Sequence, residues 1–371
     1  MHMTVKIRRL WSLLLVFAML MSLAPHSAAD SFMDPYLSQM VEWGFLRGDI
    51  QGNLRPESNI TRAEFVTIIN RAFGYDQVGS TPFTDVEDTA WYADDVAIAY
   101  TVGYISGTSA NTFSPDWEIS REEAAVIMAR NMMMQPTVGE NTAFSDGREL
   151  SSWSSGLVST AANYHLISGY PDGSFRPQNP ITRGEVAIMV VNAIGTPLQQ
   201  PGTYNLGNVY GNVVITDSGI TLRDTVIAGN LYISAGVDLG DVHLENVTVL
   251  GEIVVSGGGV SEGGDDSIVL RNVNAPSLIV DNIKNQLVSF RVEGDGVIDT
   301  TSVRTDSYIA DNTPAGYGLS RIELDGEDGS SLKLAGNVKE VVNLTPNSYI
   351  GIAQGQAETV TVDEKATGST L

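Results

Sequence analysis

Three arginines stand where a cation is out of place. They occur in Ile60-Thr61-Arg62-Ala63-Glu64, Ile119-Ser120-Arg121-Glu122-Glu123 and Ile181-Thr182-Arg183-Gly184-Glu185. In each, a Ser or Thr is followed three residues later by Glu, just ahead of an apolar stripe. That is a capping box: the hydroxyl accepts from the N3 backbone N–H, and the Glu reaches back to the cap's own N–H. It assigns Thr61, Ser120, Thr182, Glu64, Glu123 and Glu185 to helix capping. It also puts Arg62, Arg121 and Arg183 at the first helical position, where the dipole disfavours a cation by roughly 0.3–1 kcal/mol. Two chemistries account for a guanidinium there. One is pairing with neighbouring carboxylates. The other is an anionic ligand held between guanidinium and helix N-terminus. Residue type and position leave both open.

The elements that must position these arginines are legible in periodicity. Phe65, Ile68, Ile69, Ala72 and Phe73 fall at helical spacing, as do Ala124, Ile127 and Met128, and Val186, Met189, Val190, Ala193 and Ile194. Each set is one apolar helix face. Upstream lies a second helix ending in a Gly-rich turn: Leu46-Arg47-Gly48 to Leu54-Arg55-Pro56, Ile105-Ser106-Gly107 to Phe113-Ser114-Pro115, and Ile167-Ser168-Gly169 to Phe175-Arg176-Pro177. Earlier still stand Phe83-Thr84-Asp85 with Trp91, and Phe144-Ser145-Asp146 with Trp153. Trp91 and Trp153 read first as core anchors, with sugar stacking as the second reading. Self-similarity at a period near 60 residues means repeated helix–loop–helix units.

The 371-residue chain has a formal charge of −23 and no cysteine. The charge argues against nucleic acid and anionic membrane surfaces as partners. No disulfide or thiolate metal site is expected. Lys6, Arg8 and Arg9, the apolar run Leu10 to Met21 and the small residues Ser27-Ala28-Ala29 have the pattern of a cleaved secretory signal peptide. No later stretch is apolar enough to span a bilayer, so no transmembrane segment is expected after cleavage.

The repeats resemble the S-layer homology (SLH) family, whose motifs run Phe-x-Asp-Val, Trp, Gly-Tyr-Pro-Asp-Gly-x-Phe-x-Pro and Ile-Thr-Arg-Ala-Glu. The likeness covers about residues 30–195. The third copy, with Gly169-Tyr170-Pro171-Asp172-Gly173, comes nearest the pattern. The first begins Phe32-Met33-Asp34-Pro35 and is shortened. The second has Gly107-Thr108-Ser109-Ala110 in its loop and an extra acid in Ser-Arg-Glu-Glu. The resemblance implies a pseudo-threefold helical bundle and non-covalent anchoring to a peptidoglycan-linked secondary cell-wall polysaccharide, typically pyruvylated. It implies ligand-binding roles for the arginines, ranked Arg183, Arg62, Arg121. It extends such roles to Trp153, Trp91, Gly169, Gly107, Gly48, Asp146 and Asp85.

After Gly195 the texture changes. Thr196 to Gly202 reads as a linker. Beyond it, Ile220 to Val226, Val242 to Thr248 and Ile268 to Asn274 align at steps of 22 and 26 residues, each followed by a second β-rich segment. Asp224, Asn246 and Asn272 fall in register. This predicts a parallel β-helix with an in-register polar ladder at one corner; the alternative is an antiparallel β-sandwich. The segment from Glu358 onward reads as a cap or frayed tail.

The expected fold class is therefore multidomain: an all-α three-repeat bundle, then an all-β domain. The boundaries are a signal peptide at 1–29, repeats at 30–75, 80–134 and 143–195, a linker at 196–205 and a β-solenoid-like domain at 206–371. No catalytic residue stands out. The mature chain keeps only His165 and His243, and residues 206–371 carry 9 Lys and Arg against 23 Asp and Glu, a net −14. No cofactor is expected. Asp265-Asp266 and Asp325 to Gly329 offer oxygen donors for calcium but match no EF-hand loop. The expected function is an exported cell-wall or S-layer protein displaying a structural or interaction module, with self-association or other surface proteins as further partners. The alternative is a wall-anchored polysaccharide-active enzyme.

Overall fold

The computed structural model describes residues 26–137, 144–258, 268–282 and 287–371. Residues 1–25 of the predicted signal peptide at 1–29 and the Asp265-Asp266 pair lie outside them, and residues 26–29 fall in the first helix. The described residues contain six α-helices: α1 (His26–Glu42), α2 (Arg62–Phe73), α3 (Ala93–Val102), α4 (Arg121–Asn131), α5 (Ser155–Asn163) and α6 (Arg183–Ile194). They alternate as first and second helix of three repeats. The shortened first copy still supplies its first helix, α1, which buries Leu37 and Met40. All three predicted stripes on α2, α4 and α6 are buried. Seventeen strands follow.

The chain forms two compact units that do not follow the repeat boundaries. One joins the described residues up to Ile69 with Ser114–Ala193; the other joins Asn70–Phe113 with Ile194–Leu371.

In the first unit the three capping loops hold one another. Ile60 N–H donates to Ile181 O (3.1 Å), Ile119 N–H to Ile60 O (3.1 Å) and Ile181 N–H to Ile119 O (3.0 Å), closing a triangle. All three Ile side chains are buried. The triangle ties the three capping loops to one another.

In the second unit every strand pairing among the described residues is parallel, which excludes the β-sandwich alternative. One face stacks β1 (Thr196–Leu198), β4 (Val213–Ile215), β6 (Leu231–Ile233), β8 (Glu252–Val255), β10 (Ala275–Val280), β12 (Val297–Val303), and β14 (Gly318–Leu319) with β15 (Arg321–Leu324). The other stacks β2 (Gly202–Tyr204) and β3 (Gly207–Val209), β5 (Ile220–Ile227), β7 (Val242–Val249), β9 (Ile268–Arg271), β11 (Val288–Glu293) and β13 (Ser307–Asp311). The long β16 (Ser331–Asn343) and β17 (Tyr349–Val362) continue through both faces. This is a parallel β-solenoid. Aliphatic side chains stack along its interior: Ile215, Ile233, Val255, Val280, Val303 and Leu324 occupy one register column, and all are buried. Each such side chain fully removed from water contributes roughly 1.5–3 kcal/mol.

The corner ladder forms as predicted. Asp224, Asn246 and Asn272 have φ of 49°, 55° and 54°, a left-handed conformation that Asn and Asp tolerate better than most residues. Asn246 Nδ2 donates to Asp224 Oδ1 (2.9 Å) and Asn272 Nδ2 to Asn246 Oδ1 (2.8 Å). Each corner thus hydrogen-bonds to the coil before it.

One expectation needs correction and one pair of alternatives is decided. Residues 196–205 are not a free linker: Thr196–Leu198 pairs with Val213–Ile215, and Gly202–Tyr204 with Ile220–Leu222. Short strands interrupted by Pro and Gly look like a linker because the first coil takes most of its order from the coil above. For the segment from Glu358 onward, the cap alternative holds and the frayed-tail one does not. β17 runs to Val362, and Ile350 N–H donates to Thr370 O (2.9 Å) as the tail returns across its start.

Segment 70–113 packs on this unit. Ser234 Oγ donates to Phe73 O (2.6 Å). Gly74 has φ 71°, and a Cβ there would lie 2.5 Å from Thr216 O, so only glycine fits. Within the segment, Tyr104 Oη donates to Asn70 Oδ1 (2.6 Å). Burial of Tyr104, followed by the charges of Tyr75 and Asp95, raises its phenol pKa well above the ordinary value.

Candidate functional site

All three capping boxes form. Thr61, Ser120 and Thr182 accept from the N–H of Glu64, Glu123 and Glu185 at 3.2–3.3 Å, and each Glu returns a carboxylate oxygen to the cap's N–H at 2.9–3.0 Å. One carboxylate oxygen per Glu is left over, and the neighbouring repeat uses it.

Arg62 Nη1 meets Glu123 Oε1 at 2.9 Å and Arg121 Nη1 meets Glu185 Oε1 at 2.8 Å; Arg183 Nη1 lies 3.6 Å from Glu64 Oε1. Each arginine of one copy pairs with the cap of the next, and the third returns to the first. Ion pairing, one of the two readings open at the sequence level, is therefore present. The backbone follows the same cycle. The N–H groups of Arg62 and Ala63 donate to Trp117 O and Pro115 O, those of Arg121 and Glu122 to Asn179 O and Pro177 O, and those of Arg183 and Gly184 to Ser58 O and Pro56 O. Donors at the first three helical positions are thus satisfied by protein. The residue before each of these prolines, Arg55, Ser114 or Arg176, has φ of 50–59°, turning its carbonyl-bearing neighbour toward the next helix.

The guanidinium also grips the next copy's loop. Arg121 Nε donates to Phe175 O (2.7 Å) and Nη2 to Ser168 O (3.1 Å). Arg183 Nε donates to Leu54 O (2.9 Å) and Nη2 to Arg47 O (3.0 Å). Three donors in one rigid fork, aimed at two carbonyls and a carboxylate, suit Arg and not Lys. Arg121 further stacks on the rings of Tyr170 and Phe175, at 4.7 and 4.8 Å. Tyr170 Oη donates to Glu185 Oε1 (2.6 Å), and burial, reinforced by that carboxylate, pushes its pKa up to about 12.

These contacts show which loop each arginine faces. Placing Arg183 first assumed that it shares a groove with the Gly169–Arg176 loop of its own repeat. That loop faces Arg121. Arg183 faces the Gly48–Arg55 loop of the first copy, where Asp49 accepts from the N–H of Asn53 and Gln51 and from Arg55. Those bonds, that to Asn53 foremost, together outweigh desolvation and hold its pKa at about 2. Arg183 remains the least committed of the three, because its ion pair is the longest and Glu64 is the most exposed of the three cap carboxylates.

The remaining expected site residues divide. Asp85 Oδ1 accepts from Phe113 N–H (2.9 Å), and Asp146 accepts from the N–H of Phe175 (2.8 Å) and Arg176 (2.7 Å). Both hold a loop in its turn. A Cβ on Gly48 would lie 2.7 Å from Gly52 C, and one on Gly169 would lie 2.8 Å from Ser174 O; one on Gly107 would overlap Ser109 O and Thr112 O. These glycines serve close backbone approach. Trp91 and Trp153, in contrast, are 65% and 54% exposed, so the core-anchor reading fails. Trp117, which sequence reasoning passed over, is 67% exposed. Its signal was a large aromatic inside a polar turn, Asp116-Trp117-Glu118, with no apolar partner at helical or strand spacing.

Among the described residues no group of three or more acidic or His side chains converges to hold a metal. Asp328 accepts from Asn347 Nδ2 (2.8 Å). No helix of the described residues is long and apolar enough to cross a membrane. On the solenoid, Arg223, Glu245, Arg271 and Glu293 form one alternating register column, with Arg271 2.8 Å from Glu293 and 3.7 Å from Glu245. Its exposed charges are spent on one another.

Comparison with known proteins agrees with this geometry. The S-layer homology domain model matches residues 27–66, 82–125 and 143–187. The chain is 33% identical over 164 residues to Cell surface glycoprotein 1 of Acetivibrio thermocellus, covering 40% of this chain and 7% of that protein. It is 30% identical over 161 residues to the Surface-layer 125 kDa protein of Lysinibacillus sphaericus, covering 43% and 14%. It is 31% identical over 166 residues to the Amylopullulanase of Thermoanaerobacterium thermosulfurigenes, covering 43% and 9%. The chain therefore spans only a small part of the length of these relatives. The interlocked caps, the three matched segments and the surface-protein relatives lead to one identification: this chain carries three S-layer homology domains followed by a parallel β-solenoid, and it is a secreted protein of the cell envelope surface.

Proposed function

We propose that the three repeats anchor the protein non-covalently to a secondary cell-wall polysaccharide, and that the solenoid is a structural or interaction module carried on that anchor. The observation that supports this reading best is the state of Arg183. Its guanidinium is largely buried, yet its Nη1 stands 3.6 Å from the partly exposed Glu64. An acidic sugar substituent, such as a pyruvyl ketal, would meet a preorganised cation there and could take the place of Glu64. The exposed Trp153 and Trp117 add flat faces of the kind that sugar rings cover.

The test is retention of the full chain on wall sacculi with and without their secondary polymer. Retention should require the polymer, and Arg183→Ala should lower it by about tenfold, the loss expected for one charge-assisted contact worth about 1.4 kcal/mol. Equal retention on stripped sacculi would remove the polymer as the ligand. The solenoid is tested in the same incubation: release of new reducing ends would replace the structural reading with a polysaccharide-active one.

A further inference from the structure

The second copy differs from the others at the second helical position. Ala63 and Gly184 are small, but Glu122 is a carboxylate that is only 2% exposed. Its partners all belong to the third copy. Oε2 accepts from Ser151 N–H (3.0 Å) and Ser154 Oγ (2.7 Å); Oε1 accepts from Ser151 Oγ (2.8 Å) and Gln178 Nε2 (2.7 Å). Among the described residues no cation pairs with it. Burial opposes ionisation, but the four hydrogen bonds together outweigh it and leave the pKa below the ordinary glutamate value. The equivalent Gly184 meets α1 of the first copy instead, where a Cβ would run into the Met33 side chain. In these two copies the position faces the first-helix region of the next repeat, α1 for Gly184 and the turn before α5 for Glu122. A buried carboxylate with four donors is a built feature, because the anion and the buried Ser154 hydroxyl would otherwise be desolvated without partners.

The residues that Glu122 holds enclose Trp153. Ser154 N–H and Ser155 N–H both donate to Ser151 O at 3.0 Å, making Ser151 to Ser154 a tight turn at the start of α5. The indole between the two clamped serines points out, 54% exposed. Glu122 is adjacent in sequence to Arg121, whose guanidinium grips the third copy's loop. One helix N-terminus therefore fixes both the cation and the turn that carries the aromatic.

We infer that Glu122 is a positioning residue for saccharide binding: it clamps the Ser151–Ser154 turn so that Trp153 presents a fixed apolar face to a sugar ring of the wall polymer. A rigid aromatic face binds at low entropic cost, whereas the same ring on a loose turn must be ordered first. The inference rests on the anchoring reading above and adds to it a residue outside the arginine motif.

The test uses the full chain labelled with 5-fluorotryptophan, with the Trp153 resonance identified by its loss in Trp153→Phe. Glu122→Ala should shift and broaden that resonance while leaving the helical signal intact. Glu122→Gln, which keeps one acceptor oxygen, should give a smaller change. Retention on polymer-bearing sacculi should fall at least about fivefold in Glu122→Ala and in Trp153→Phe, and the double variant should lose no more than Trp153→Phe alone, since residues acting through one another are not additive. An unmoved Trp153 resonance, or losses that multiply in the double variant, overturns the positioning role while anchoring through Arg183 stands. Retention that is polymer-independent in the parent chain overturns the anchoring reading itself, whatever the resonance does.

Discussion

In the helical repeats each copy hands its guanidinium to the next and the third hands it back to the first, whereas in the solenoid each coil rests on its predecessor and the series stays open. The closed system relies on contacts between residues far apart in sequence, such as Arg62 with Glu123 and Arg183 with Glu64. The open system uses backbone pairing and aliphatic stacking between coils of roughly 20 residues. Its polar ladders and charge columns are local additions. The same residue types thus have different weight. Arginine is buried and structural in the ring, with Arg121 7% exposed in its side chain, and a rim feature on the solenoid, with Arg271 51% exposed.

Substitutions that remove equivalent groups from the two systems should separate them. The largest effect is expected for Arg121→Ala, which strips two loop carbonyls and Glu185 of a buried partner. Breaking a buried ion pair costs about 3–5 kcal/mol, and thermal unfolding should show the helical transition shifted down by many degrees. Asn246→Ala comes next. It cuts the ladder on both sides and leaves a Cβ-bearing residue without local hydrogen bonds in a left-handed turn, at about 1–2 kcal/mol; Asn246→Gly should recover part of that loss because glycine tolerates the conformation.

Acid should distinguish the systems through Glu122. Its pKa is lower folded than unfolded, so its contribution is complete above the ordinary glutamate value. That contribution disappears as pH falls through the depressed folded value. Helical stability followed by circular dichroism should therefore decline below the ordinary glutamate range, with the decline reduced in Glu122→Gln. Arg271→Ala should do least, under about 1 kcal/mol, with an effect that fades further in high salt. A solenoid loss as large as the Arg121 loss would erase the contrast between closed and open repeats.

Much of this was legible in the chain. The capping boxes, the apolar stripes and the Asp224, Asn246 and Asn272 corners follow local rules, and local rules are written in consecutive residues. The destination of each arginine was not legible. Proximity in sequence suggests that Arg183 serves the loop just before it, yet cyclic topology sends it to Leu54 and Arg47. Glu122 looked like a departure from pattern because its partners, Ser151, Ser154 and Gln178, lie in another copy. The first coil was hidden for a related reason: Thr196 to Tyr204 has little strand character of its own and becomes strand by pairing with β4 and β5. The tryptophans misled because a large aromatic is more often inside than outside.

The isoleucine triangle also sets a schedule for folding. Ribosomes deliver a chain from its N-terminus, and Ile60 cannot find its acceptor until Ile181 has been made, since those two residues are hydrogen-bonded across the whole set of repeats. The ring therefore cannot close until the last copy has been made, although the contacts of Ile119 with Ile60 and of Arg62 with Glu123 need only the first two. Closure over so long a loop is slow relative to helix formation.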